Sequence, residues 1–80
     1  MRMTPIYHLK IEDSLTSDVT YVTHGDKLRL IHKEFQRIGP VTRIGTFIDC
    51  SNTGITVDIG TDRSLEVFVP YEDIIDIRRV

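Results

Sequence analysis

Eighty residues carrying 10 basic and 12 acidic side chains, for a net charge of −2, describe one small domain. They lack the strongly basic footprint of a protein that grips nucleic acid along its whole surface. A chain this short buries only about 60% of the surface its unfolded form exposes, and Cys50 is its one cysteine, so an intramolecular disulfide cannot supply the shortfall. His8, His24 and His32 fall in no recognised zinc spacing with it. No metal or cofactor is expected, and association between subunits is left as the remaining support.

Ile, Val and Thr contribute 11, 7 and 9 residues, while Ala and Trp are absent. These 27 β-branched side chains suit a pleated sheet, and the best helix former is missing. In chain order, Tyr7, Leu9 and Ile11 alternate with His8, Lys10 and Glu12, which predicts a strand. Residues 14–23 read two ways: Val19 and Tyr21 alternate, yet Leu15, Val19 and Val22 share a helical face. Residues 26–38 pose the same conflict more sharply. Leu28, Ile31, Phe35 and Ile38 recur at helical spacing, with Asp26 as a possible cap and Gly39-Pro40 as a stop, whereas Leu28 and Leu30 open like a strand. Periodicity alone favours the helix.

From Val41 to Asp49 the chain reads as a strand whose apolar phase shifts around Gly45, predicting a bulge or bend there. Ser51-Asn52-Thr53-Gly54 is a turn cluster. Ile55, Val57 and Ile59 then alternate with polar residues, Gly60-Thr61-Asp62-Arg63 turns again, and Leu65, Val67 and Val69 alternate with Glu66 and Phe68. Pro70 ends that strand by removing a ladder donor. After Tyr71-Glu72-Asp73, Ile75 and Ile77 begin a last short strand, and the four strands are expected to form a meander.

The charges are uneven. Residues 1–40 carry six basic and five acidic groups, and residues 41–80 carry four and seven. The densest basic stretch is Lys27, Arg29, Lys33 and Arg37, a solvated face or a phosphate-facing strip. No apolar run approaches the roughly 20 residues that span a bilayer, and Met-Arg-Met-Thr-Pro lacks the apolar core of a signal peptide. With one unpaired cysteine, the expected location is a reducing cytoplasm.

The bent strand with Gly45, the turn, two further strands and then Val-Pro-Tyr-Glu-Asp-Ile-Ile-Asp-Ile resemble the second half of an SH3-like barrel. The order is most similar to the Sm-like family, which includes the Sm and LSm proteins and bacterial Hfq. Gly45-Thr46-Phe47 with its Asp/Asn-bearing loop resembles that family's first motif, and Leu65–Val69 followed by Ile74–Ile77 resembles its second. The resemblance implies a small, strongly bent, five-stranded SH3-like, Sm-like open barrel over residues 25–79, an alignment that overrides the helical reading of residues 26–38 if Gly25–Leu30 opens its first strand. With composition and periodicity, the expected fold is mainly β with one short helix in the N-terminal half. Residues 1–24 would be an N-terminal extension of the single domain 1–80, and a 3₁₀ turn at Tyr71–Asp73 would join the last two strands. The family's base-holding Asp and Met-Asn are represented here by Asn52 alone. Its Arg-Gly or Lys-His is replaced by Val69-Pro70-Tyr71, without a cation.

Sm-type barrels expose the edges of their last two strands, and such edges demand cover. A cyclic homo-oligomer is therefore expected, with Leu65, Val67, Phe68, Val69, Ile75 and Ile77 at the subunit interface. Phe68, opposite in phase to Leu65, Val67 and Val69, packs either under a segment of its own chain or against the next subunit. The function implied is a ring-forming, non-catalytic RNA-binding module of regulatory or chaperone-like kind. Asn52 would hydrogen-bond a base, Tyr71 would stack one, and Arg63, Lys27 and Arg29 would meet phosphates of a single strand. The alternative is a structural or protein-interaction ring that binds no RNA, favoured by the acidic C-terminal half. An enzyme is not expected: Cys50 has no neighbouring His, Asp49 and Asp58 make no recognisable acid/base pair, and no Gly-rich phosphate loop is present.

Overall fold

The computed structural model describes residues 2–5 and 8–80. Tyr7, which the sequence places at the head of the first alternation, lies outside them. Eight strands follow in chain order: β1 (Arg2–Pro5), β2 (Leu9–Glu12), β3 (Val19–Val22), β4 (Lys27–His32), β5 (Val41–Cys50), β6 (Gly54–Asp58), β7 (Glu66–Pro70) and β8 (Ile74–Arg79). A 3₁₀ turn at Tyr71–Asp73 joins the last two. The first three strands form one antiparallel sheet in the order β1-β2-β3, and the other five form a second, β7-β6-β5-β4-β8. The fold is mainly β.

Period-two burial organises both sheets. Leu9 and Ile11 are buried while Lys10 and Glu12, which alternate with them, are not, and a Lys10–Glu12 ion pair of 2.8 Å lies on that outer face. Val22 joins the same buried layer. Within the ambiguous residues 14–23, Val19–Val22 form strand, and of the rival helical face only Val22 is covered: Leu15 is 93% exposed and Val19 is open to solvent. Asp13 instead builds the β2–β3 loop. Its carboxylate accepts from the Leu15 N–H at 2.8 Å, and its carbonyl accepts from Ser17 N–H at 2.8 Å.

The helix expected over residues 26–38 is not formed, and no α-helix occurs among the described residues. Leu28, Leu30 and His32 are buried in alternation, and β4 hydrogen-bonds to β5 on one side and β8 on the other. A helix would have had to bury Phe35 and Ile38 on the face of Leu28. Both are instead almost fully exposed in the turns that lead to β5. Two ladders and a core outweigh local propensity. Asp26 caps a turn rather than a helix, its carboxylate accepting from Thr23 N–H at 3.0 Å.

Two further expectations are displaced. The irregularity predicted near Gly45 falls between Phe47 and Asp49, where the β5–β6 register shifts. Gly45 is instead a point of close approach, since a Cβ there would lie 3.0 Å from the Asp58 carbonyl. The last strand also leaves the expected meander: β8 crosses to pair with β4, with a bulge at the His32 end. That bulge turns Ile74 and Ile77 inward and leaves Ile75 exposed. One core spans both sheets, with Leu9, Ile11 and Val22 from the first packed among Leu28, Leu30, Phe47, Ile55, Val57, Val69, Ile74 and Ile77 of the second. The chain passes from the first sheet to the second through the turn that holds Gly25.

Candidate functional site

The turn between β5 and β6 and the 3₁₀ turn between β7 and β8 meet at one end of the second sheet. In the first, Ser51 N–H donates to the Gly54 carbonyl at 2.8 Å and Thr53 N–H to Ser51 Oγ at 3.3 Å, leaving Asn52 exposed at the tip. Tyr71 fastens the second turn to it. Its N–H donates to the Thr53 carbonyl at 3.0 Å and its hydroxyl to the Ser51 carbonyl at 2.6 Å. Tyr71 therefore holds the backbone on both sides of Asn52, by its hydroxyl at Ser51 and its N–H at Thr53. Burial, together with the neighbouring Cys50 thiol, pushes the Tyr71 hydroxyl up to about 12. Burial likewise pushes the Cys50 thiol up, and the Asp49 carboxylate adds to it.

Asn52 and Tyr71 are thus brought together, and the three cations are not brought to them. Arg63 sits in the loop between β6 and β7, at the far end of β6. Asp58 holds that loop closed, accepting from Gly60 N–H at 2.9 Å, Leu65 N–H at 3.0 Å and the Ser64 hydroxyl at 3.0 Å. These bonds hold the Asp58 carboxyl below its usual range. Lys27 stands opposite Thr46, which in turn stands opposite Asp58, so it too belongs to the Arg63 end. Arg29 faces Arg78 across β4 and β8, and both are drawn to Asp76, at 3.9 and 3.1 Å. The charged residues of these turns and of the strand end before Asn52 are acids, Asp49, Glu72 and Asp73, while Lys33, whose N–H donates to the Asp73 carbonyl at 2.8 Å, stands beside the second turn.

The expected interface residues divide between two faces. Within one chain, Val69 and Ile77 belong to the core and Val67 is half-buried. Leu65, Phe68 and Ile75 are exposed. Phe68, 52% exposed, lies over Gly54, so that a Cβ on Gly54 would come within 2.7 Å of its Cζ.

Among the described residues, β7 and β8 each keep one edge without a strand partner. Hydrogen bonds from Ile59 N–H to the Leu65 carbonyl and from Tyr71 N–H to the Thr53 carbonyl show that odd-numbered residues of β7 turn their backbone groups toward β6. By antiparallel alternation, Glu66 and Phe68 offer theirs to the free edge, and Pro70 has no N–H to offer. On β8, Val80 N–H donates to the Lys27 carbonyl, so Ile77 and Arg79 face the free edge. A cleft of about 570 Å³ runs along that edge, walled by the β2–β3 loop. Arg79 reaches across to the Tyr21 carbonyl at 3.4 Å.

Sequence reasoning passed over His32, one of three scattered histidines. It is 4% exposed, its Nδ1–H donates to the Lys33 carbonyl at 2.9 Å, and its Nε2 has no partner. The signal available was its phase, which continues the alternation of Leu28 and Leu30 on the core face. It lines a cleft of about 210 Å³ beside β7 together with Arg43, Glu34 and Asp73. There an Arg43–Glu34 ion pair holds the Glu34 carboxyl below its usual range. No three His, Cys, Asp or Glu side chains among the described residues gather as a metal site. No helix among them is long and apolar enough to cross a membrane.

No protein-family model, curated protein or solved structure matches this chain.

Proposed function

We propose that this chain is a non-catalytic, cytoplasmic, ring-forming module of Sm-like kind that acts as a structural and protein-interaction platform. The observation that carries the reading is the pair of unpartnered edges at opposite ends of one sheet, each beside exposed apolar side chains: Phe68 and Leu65 at β7, Ile75 at β8. An edge with free N–H and C=O groups is a template for another strand. A contact between two different edges is heterologous and closes into a ring when its rotation allows. The strand order, with a 3₁₀ turn linking the strands at the two ends of the sheet, supports the Sm-like part of the reading.

Single-stranded RNA binding is the second reading, favoured by the meeting of Asn52 and Tyr71. It ranks behind because Tyr71 is committed to the backbone of the neighbouring turn, Arg29 is drawn to Asp76, and Lys27 and Arg63 belong to the opposite end of β6. A backbone of phosphates needs cations along its track.

Native mass spectrometry at micromolar concentration, with and without oligo(U) and oligo(A), tests both. The expected result is a closed homo-oligomer whose mass is unchanged by either oligonucleotide. A monomer would overturn the proposal. A stoichiometric adduct that dissolves steeply with salt would replace the first reading with the second.

A further inference from the structure

We infer that the cleft between β8 and the β2–β3 loop is a socket for Phe68 of a second copy, and that the N-terminal sheet is an assembly element. The inference rests on the edge-pairing reading above and assigns it a register, a residue in the socket and a second wall.

The argument is one of parity. On β7, the residues that offer backbone groups to the free edge, Glu66 and Phe68, carry side chains on the outer face of their own sheet, since Val67 and Val69 take the inner face. On β8, Ile77 offers its backbone groups to the free edge while its side chain takes the inner face, and Arg79, two residues on, shares that phase. In an antiparallel ladder, residues that exchange hydrogen bonds stand directly opposite and put their side chains on the same face. Any antiparallel addition of one copy's β7 to another's β8 therefore carries Phe68 from the outside of its own sheet to the inner side of the neighbour's β8. The cleft along that edge takes in the inner-face residues Ile11 and Ile77, with Leu15 and the carboxylates of Asp13, Asp18 and Asp76 also in its lining.

Register follows from the same bookkeeping. Pairing Glu66 with Arg79 and Phe68 with Ile77 engages both edge-facing residues of each strand. It sets the acid of one copy beside the guanidinium of the other, a favourable cross-strand pair. Pro70, which lacks an N–H, then falls opposite Ile75, the residue left without a register partner at the bulge. Leu15, 93% exposed on the loop, gains apolar cover from the incoming ring. Without the second copy the socket lacks its filling.

The test is a charge exchange read by native mass spectrometry and dilution light scattering. Glu66→Arg places like charges at the contact of every subunit pair and is expected to weaken association about tenfold, and Glu66→Arg with Arg79→Glu to restore it. Leu15→Asp, at a position that contributes nothing to the core, is expected to leave the far-ultraviolet circular dichroism unchanged and to weaken association about tenfold or more. If the wild type assembles and Glu66→Arg associates as well as it does, this register is wrong while edge pairing stands. If Leu15→Asp assembles like the wild type, the loop is not a wall of the socket. A wild-type monomer removes this inference together with the reading beneath it.

Discussion

Replacing Gly54 by alanine tests the packing that aims Phe68 outward. Gly54 is buried at the start of β6, opposite Pro70. Its φ is not in the left-handed region, so alanine meets no backbone penalty. On chain entropy alone, Gly→Ala at a compatible position stabilises by about 0.4–1 kcal/mol through the unfolded state. The folded state opposes this. The new Cβ would overlap the Val69 carbonyl oxygen and stand 2.7 Å from Phe68 Cζ and 2.8 Å from Pro70 Cα. Two of those three neighbours are backbone and cannot rotate away, so β7 must shift from β6. Overpacking of this kind costs about 1–3 kcal/mol, and the net loss expected is about 1–2 kcal/mol. With a urea m-value near 1 kcal/mol/M for a small domain, the unfolding midpoint should fall by about 1–2 M, followed by tyrosine fluorescence at a concentration that fixes the assembly state. Gly54→Ala in a Phe68→Ala background should still lie below Phe68→Ala alone, because the two backbone overlaps remain. A midpoint at or above the wild type would refute the reasoning.

Two other outcomes are specific. Asp58 has a folded pKa lowered by bonds from Leu65, Gly60 and Ser64. Its contribution is therefore full above its ordinary value of 3.8 and is lost as pH falls through the lowered folded value. Urea midpoints measured from pH 5 downward should drop less steeply in Asp58→Asn than in the wild type, and equal slopes would contradict the closure of the β6–β7 loop by that carboxylate. His32→Leu removes a buried acceptor that has no partner at the loss of one hydrogen bond to a carbonyl. A buried unpaired polar group costs about 1–3 kcal/mol, so the variant should be as stable as the wild type or more stable by about 1 kcal/mol. A loss above 1 kcal/mol would mean that Nε2 is engaged.

Strand content was legible from residue 41 onward because the alternation of Ile55, Val57, Val67 and Val69 has no helical rival. Residues 26–38 were not legible in this way. Leu28, Ile31, Phe35 and Ile38 satisfy a helix locally, and only the partners β5 and β8, distant in sequence, choose the strand and leave Phe35 and Ile38 in water. The site was legible in part for a similar reason. Asn52 stands in a recognisable turn, but the bonds from Tyr71 to Ser51 and Thr53 on either side of it span about twenty residues. No spacing rule predicted that Lys27, Arg29 and Arg63 would lie elsewhere.

Face assignment shows the division most clearly. The amino-acid order alone determines that Val67 and Val69 oppose Phe68, because strand period is a covalent property of the backbone. Which of those faces is the inside depends on where the other sheet lies. Tertiary structure decided that, burying Val69, exposing Phe68, and using a bulge to exchange Ile74 for Ile75 at the core. The early deficit of an 80-residue chain with one cysteine is also answered in three dimensions. The N-terminal strands add Leu9, Ile11 and Val22 to the common core, an alliance between residues that only folding brings near. Local sequence sets the period, and long-range contact sets which half of each period meets water.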